Sequence, residues 1–110
     1  MKIKLSLMHR DGKIEFHEVK ATMPFELFGF TFAAHPAVKA DGTFQDPKKC
    51  GWVVTEASSG AAAAYGDTRR GVIEYAKSKM ESVGADRVRE TIEYQIDLRH
   101  KAMKKARKKP

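Results

Sequence analysis

The sequence is poor in cysteine and contains no long apolar run. Cys50 is the one cysteine among 110 residues, which excludes an internal disulfide framework and favours a reducing compartment such as the cytoplasm. One cysteine and four scattered histidines also argue against a preformed zinc site. No run approaches the ~18 apolar residues of a membrane span, and the beginning of the chain lacks a signal-peptide pattern. The composition therefore predicts a cytoplasmic protein without a cofactor or a membrane partner.

Recognisable catalytic motifs are also missing. The chain contains no Walker loop, no dinucleotide fingerprint and no nucleophile elbow. His9, His17 and His35 lie near the ends of predicted strands without a paired carboxylate pattern, and Cys50 has no histidine at a diagnostic spacing. We therefore expect that the protein is not an enzyme.

Acidic residues are absent from the last part of the chain. Asp97 is the final one, and seven of the 21 Lys and Arg residues follow it, which leaves 14 basic against 14 acidic residues in residues 1–98. The whole net charge of +7 therefore belongs to a C-terminal tail. Its basic residues are Arg99, Lys101, Lys104, Lys105, Arg107, Lys108 and Lys109.

This tail admits two interpretations. A cationic arm attracts phosphate backbones, with an affinity that falls steeply as salt rises. Cations near a helix C-terminus also interact favourably with the helix dipole, and lysines keep a protein soluble. We predict a single domain at residues 1–98 and a basic tail at residues 99–110, whose last turns fray because nothing apolar holds them.

Alternating polar and apolar residues predict strands in the first part of the chain. Residues 2–8 and 13–17 alternate on either side of Asp11-Gly12, a pattern typical of a β-hairpin. After Met23-Pro24 breaks the alternation, Phe28, Phe30 and Phe32 predict a third strand. No Lys or Arg interleaves these rings, so we interpret them and Trp52 as core rather than as a base-stacking surface.

The second half of the chain predicts two more strands and two helices. Residues 52–55 are β-branched and aromatic, and residues 61–65 return after a Ser-Ser-Gly turn. Residues 36–51 form either a long functional loop or a small hairpin around Asp41-Gly42. Asp67-Thr68 supplies an N-cap for a first helix that Gly84 stops, and Asp86 caps a second helix.

Strands followed by helices predict an α+β fold. We expect an N-terminal antiparallel β-sheet of four to five strands, with two C-terminal helices packed on one of its faces. The basic tail follows the second helix.

Two arginines at the start of the first helix are candidates for contact with an anion. Arg69 and Arg70 oppose the helix dipole there, so helix stability does not explain them. Together with Thr68 and the free amides of the first turn, they suit a phosphate or a carboxylate, and Lys48 and Lys49 add a second contact. The alternatives are that Asp67 pairs with an arginine and that the lysines only solvate their loop.

Part of this region resembles a known pattern. Gly51-Trp52-Val53-Val54-Thr55, then Ser59-Gly60, then Gly66-Asp67-Thr68-Arg69-Arg70 is similar to a hairpin-into-helix unit of small uncharacterised proteins of bacteriophages and other mobile elements. The resemblance covers about a quarter of the chain. It implies a phage or mobile-element context and an accessory role, and it carries no binding residues across.

Two functions are compatible with these features. The first is a small phage or mobile-element accessory protein that binds DNA or RNA mainly through backbone phosphates. The second is a protein-binding module, such as a phage-encoded (anti-CRISPR-like) inhibitor or modulator of a host nuclease or defence complex, which uses loop 36–51 and a sheet edge. A nucleic acid, a host nucleoprotein complex or a second copy of the chain is the partner expected from these hypotheses.

Overall fold

The computed structural model describes residues 1–8, 14–39 and 41–108. Within them, strands come first and long helices last, which confirms the α+β class. The strands are β1 (Lys2–Met8), β2 (Ile14–Lys20), β3 (Thr22–Leu27), β4 (Phe30–Pro36), β5 (Trp52–Glu56) and β6 (Ala62–Gly66). The helices are α1 (Pro47–Cys50), α2 (Arg69–Val83) and α3 (Ala85–Lys108).

The strands form two antiparallel sheets rather than one. β1 pairs only with β2, and β3-β4-β5-β6 form a four-stranded meander in chain order. The hairpin pairing of the first two strands is therefore confirmed, while its predicted Asp11-Gly12 turn lies outside the described residues. The four-stranded sheet has the predicted antiparallel pairing and size, whereas the β1–β2 hairpin forms a second sheet of its own. β3 is a sixth strand that the sequence analysis did not predict, because Pro24 lies within it.

The phenylalanine-rich segment turns where a continuous strand was predicted. Leu27 pairs with Phe30, so Phe28 and Gly29 form the two-residue turn between β3 and β4. Both have positive φ, +54° and +85°, as a tight type I′ hairpin turn requires. Pro24 is tolerated in β3 because this is an edge strand whose register shifts between Thr22 and Phe25.

Loop 36–51 is ordered by local hydrogen bonds. Val38 bridges Phe44 across the predicted small hairpin, and the Asp41 carboxylate accepts from the Thr43 amide at 3.0 Å. Asp46 then caps the single turn of α1 by accepting from the Lys48 amide. The second of the two alternatives for this loop, a hairpin, is the one observed, with a helical turn added.

The larger apolar core lies between one face of the four-stranded sheet and the two long helices. Phe32, Val54 and Ala64 of the sheet pack there against buried apolar residues of α2 and α3. The sheet residues are at most 3% exposed, and burying a large apolar side chain stabilises a fold by roughly 1.5–3 kcal/mol. Phe28, Phe30 and Trp52, which were predicted as core, are only partly buried, as is Ile96, because they lie at the margins of this layer.

A smaller core forms on the opposite face of the sheet. Ile3, Leu5 and Val19 from the β1–β2 hairpin pack against Ala33 of β4. The hairpin also reaches the β5–β6 turn, where the Lys4 carbonyl lies against Gly60, but it leaves part of the face along β5 and β6 open. The packing therefore differs on the two faces of the sheet, a feature that no local pattern predicts.

The helix boundaries follow the predicted caps at most ends. Thr68 caps α2 and Gly84, with φ of +101°, ends it, whereas α3 begins one residue before Asp86, which lies in its first turn. The structure also continues α3 to Lys108. Most of the predicted tail, including the part expected to fray, is therefore helical in the structure.

Candidate functional site

Thr68 and the two arginines lie where the sequence predicts. The Thr68 hydroxyl accepts from the Gly71 amide at 3.0 Å, which fixes the entry into α2. Arg69 and Arg70 are exposed in the first turn, which contains no acidic residue. In the part of the chain that the structure describes, neither arginine pairs with a carboxylate, so the alternative that Asp67 neutralises one of them is not observed.

Trp52 of β5 contacts Arg69 and so links it to the sheet. The Arg69 guanidinium lies over the Trp52 ring at 5.5 Å from its centroid, a cation–π geometry. The two meet because Trp52 pairs with Gly66 at the end of the β5–β6 ladder, three residues before Arg69. The half-buried ring therefore holds one guanidinium at the surface.

Lys48 and Lys49 lie at this same end of the hairpin. They belong to α1, and Gly51, which follows it, packs so closely that a Cβ there would stand 2.6 Å from the Gly66 carbonyl oxygen. Gly51 thus lets the lysine-bearing turn approach the chain that enters α2. We call Lys48, Lys49, Thr68, Arg69 and Arg70 the arginine-pair site.

The second group of cations lies on α3. Six of the seven predicted tail residues fall in residues 99–108, which we call the basic helix, and Lys109 lies outside the described residues. Ten helical residues span about 15 Å. Lys101 pairs with Asp97 at 3.2 Å, but both side chains are mostly exposed, so this ion pair contributes little to stability.

Arg99 differs from the exposed Lys101 and Lys104 because its side chain packs against the domain. Its Nη1 donates to the Ser58 carbonyl at 3.2 Å, and the side chain is partly buried. Burial lowers the pKa of the guanidinium, while the nearby Glu56 carboxylate acts in the opposite direction. The guanidinium stays charged, since an arginine does not lose its proton in proteins. Arg99, which the sequence analysis assigned to the tail, therefore packs against residues 1–98.

Glu56 is a buried carboxylate that the sequence analysis missed. It is 2% exposed and accepts from the Ser58 amide, the Ser58 hydroxyl and the Ser59 amide, at 2.5 to 2.9 Å. These bonds hold the β5–β6 turn and present the Ser58 carbonyl to Arg99. The available signal was an acidic residue followed at two and three positions by serine, which is typical of a side chain that caps a turn.

The two basic groups lie at opposite ends of the β5–β6 hairpin. Trp52 begins β5 beside the arginine-pair site, and Glu56 ends it beside Arg99. Four steps of about 3.3 Å along a strand separate the two ends by roughly 13 Å. The structure therefore brings Lys48 and Lys49 to the arginines but keeps the basic helix apart from them.

A groove of about 830 Å³ occupies the open face of the sheet between these two groups. Val53, Thr55 and Tyr65 form part of its floor, and α3 forms a wall through Leu98 and Arg99. Its size is within the range of ligand-binding clefts. Sequence reasoning missed it, because it is made by elements that are far apart in the chain.

A buried polar pair lies beneath the groove. His35 Nδ1 donates to the Pro36 carbonyl at 2.8 Å, and this assigns Nε2 as the acceptor of the Thr55 hydroxyl, also at 2.8 Å. Burial lowers the pKa of His35, which favours this neutral form. Each hydrogen-bonding group of the pair has a partner, so the pair supports the floor of the groove.

The Cys50 thiol and the possible metal-ligating side chains of the described residues give no further candidate site. The Cys50 thiol is exposed and donates to the Gln45 side-chain oxygen at 3.0 Å. Within residues 1–8, 14–39 and 41–108, no three His, Cys, Asp or Glu side chains are grouped as a metal site would need. None of the helices described there is long and apolar enough to cross a bilayer.

No protein-family model, curated protein or solved structure matches the chain. The resemblance to phage and mobile-element proteins therefore stays a prediction, and the site must be interpreted from its own geometry.

Proposed function

We propose that the protein binds nucleic acid, chiefly through backbone phosphates. The observation that carries this proposal is the basic helix, whose sequence contains six Lys and Arg residues and no acidic one along about 15 Å. A polyanion with closely spaced phosphates is the ligand that such a surface attracts most strongly, because each contact releases counterions.

The arginine-pair site supports the same function. Arg69 and Arg70 are exposed next to the free amides of the α2 N-terminus, where a phosphate is favoured by both charge and hydrogen bonding. Lys48 and Lys49 add charge at the same end of the hairpin. Two cationic sites on one domain favour a long anion over a small one, since both can bind it at once.

Fluorescence anisotropy with labelled DNA and RNA over a salt series tests this proposal. The variant Lys101→Gln/Lys104→Gln/Lys105→Gln removes three charges and keeps good helix-forming residues. If all three contact phosphates, the slope of log K against log salt on duplex DNA becomes shallower by about 2.7.

The matched control is Lys2→Gln/Lys20→Gln/Lys39→Gln, which removes the same charge from exposed positions in β1, β2 and the loop after β4. We expect this control to change the slope much less, because these lysines lie outside both basic sites. Equal effects of the two triple variants would contradict the assignment to α3, and no binding at low salt would contradict the function itself.

A protein-binding role is the second candidate, favoured by β6. This strand is at the edge of the four-stranded sheet, and its sequence contains neither a charge nor a proline. Edge strands usually carry such residues to prevent pairing with another chain. Strand addition by a protein partner or a second copy is the contact that this edge suits, and titration with an added protein partner without nucleic acid would detect it.

A further inference from the structure

We infer that the groove on the open sheet face is a binding site for single-stranded nucleic acid, with Tyr65 as the side chain on which a base stacks. This inference rests on the proposed function and adds the strand state and the location of the contact. It is carried by the position of the groove, its charge and the exposure of Tyr65.

The groove lies on the hairpin whose two ends carry the basic sites. Arg99 is in its wall near the Ser59–Gly60 turn, and Tyr65 is in its floor next to Gly66, three residues before Arg69. A stacked nucleic-acid strand advances about 3.4 Å along its axis per nucleotide, so the ~13 Å between the two ends corresponds to about four nucleotides. This length agrees with the smallest binding sites of single-strand-binding domains.

The charge of the lining suits an anion. Among the residues that the structure describes, the lining carries the Arg99 guanidinium and no carboxylate, although the buried Glu56 carboxylate lies near that guanidinium. The Gln95 carboxamide supplies both a donor and an acceptor, which are the groups that hydrogen-bond to the edges of unpaired bases, whereas the Gln45 carboxamide already bonds to Cys50 and Val38. A groove with one cation, apolar walls and a carboxamide is complementary to a nucleotide, which has a phosphate, a flat apolar surface and polar edges.

Tyr65 supplies the aromatic surface. It is 70% exposed, the highest value among the large hydrophobic side chains that the structure describes, although it belongs to a strand and faces the groove. Val53, its cross-strand partner, is buried beside it and leaves the ring accessible. Stacking on an aromatic ring requires a base with a free face, which a single strand offers and a duplex does not.

The test compares Tyr65→Ala with Tyr65→Phe on a labelled ten-nucleotide thymidine strand and on a duplex of the same length. We expect Tyr65→Ala to weaken single-strand binding by about fivefold or more and to leave duplex binding within about twofold. Tyr65→Phe keeps the ring and is expected to keep the affinity. Tyr94→Ala is the matched control, because Tyr94 is 61% exposed on α3 outside the groove.

Ultraviolet cross-linking of a bromouracil strand, mapped by mass spectrometry, gives an independent readout. We expect the cross-link in the peptide that contains Tyr65. Cross-links at Tyr75 or Tyr94 instead, or equal losses for Tyr65→Ala and Tyr94→Ala while the protein still binds DNA, would overturn the groove assignment and leave the proposed function standing.

Two other outcomes would also overturn the inference. A dimer detected by light scattering that Tyr65→Ala dissociates, with single-strand binding unchanged, would assign the groove to a second copy of the chain. Absence of binding to every nucleic acid at low salt would reject the proposed function and the inference together.

Discussion

The two faces of the four-stranded sheet are built from the same strands and differ in almost every physical property. On the helix-covered face, Phe32 and Val54 are at most 1% exposed and meet α2 and α3. On the open face, His35 and Thr55 are paired by a hydrogen bond and Tyr65 is mostly exposed. One face is covered by helices, and the other is covered in part by the β1–β2 hairpin, which packs against Ala33 of β4 and against the β5–β6 turn at Gly60.

We interpret this difference as a division of roles, in which the helix-covered face stabilises the fold and the open face carries the proposed binding site. Side chains that alternate along β4 and β5 supply an apolar layer to one face and a polar, partly open floor to the other, as the period of two in a strand requires. We therefore expect substitutions on the helix-covered face to lower the free energy of unfolding. Substitutions of exposed residues on the open face, such as Tyr65, are expected to change the affinity for nucleic acid instead. The predictions below test this division, beginning with the largest effect on stability.

Phe32→Ala gives the largest expected loss. The ring is 1% exposed and stacks on Phe25 with centroids 5.3 Å apart, so its removal leaves a cavity in the main core. The free energy of unfolding should fall by about 3–5 kcal/mol in urea titrations. Tyr65→Ala on the open face should change it by no more than about 0.5 kcal/mol. Similar losses for the two variants would refute the division between faces.

Glu56→Gln tests the hydrogen bonds that hold the β5–β6 turn. The carboxylate accepts from the Ser58 amide and hydroxyl and the Ser59 amide, and a carboxamide replaces one accepting oxygen with a donor. We expect a loss of about 1.5–3 kcal/mol in the free energy of unfolding, since hydrogen bonds to a charged group are involved. Glu26→Gln, at an exposed position in β3, is the matched control and should cost no more than about 0.5 kcal/mol.

The helix-covered face was largely predictable from the sequence. The Thr68 cap and the Gly84 stop of α2 are local signals, and each is confirmed. The main failure on that side, the turn at Phe28-Gly29, arose because a phenylalanine adopts positive φ there. Alternation of Phe residues favours a continuous strand, and only the pairing of Leu27 with Phe30 reveals the turn.

The candidate site was predictable only in part. Thr68, Arg69 and Arg70 follow from the helix start, and the proximity of Lys48 and Lys49 to them follows from the Gly51–Gly66 contact, which is tertiary. The groove, Tyr65 and the contact between Arg99 and Ser58 join residues tens of positions apart. A local pattern contains no information on such contacts, so reasoning from spacing could not find them.

Thr68→Ala tests the cap of the helix that covers the sheet. Without the hydroxyl the Gly71 amide loses its acceptor, and the free energy of unfolding should fall by about 1 kcal/mol. Thr68→Ser should restore most of it. Thr91→Ala on α3 is the matched control, because the Thr91 hydroxyl only donates back to the Arg87 carbonyl within the helix. An equal loss in the control would mean that the cap does not stabilise α2.

The smallest predicted effect is a pH dependence from His35 beneath the open face. Burial lowers its pKa below the ordinary value of 6.5, so the unfolded chain takes up a proton at this residue before the folded protein does. Stability from the neutral ring is complete above pH 6.5, declines as the pH falls towards the folded pKa, and then levels off. Protonation also removes the acceptor of the Thr55 hydroxyl.

Urea unfolding at several pH values between about pH 7.5 and about pH 5 measures this decline. His35→Gln should be less stable at neutral pH, because it disturbs a buried pair, but its stability should vary less over this range. If the parent and His35→Gln lose stability in parallel as the pH falls, the dependence comes from other groups, and the polar pair under the open face does not respond to pH.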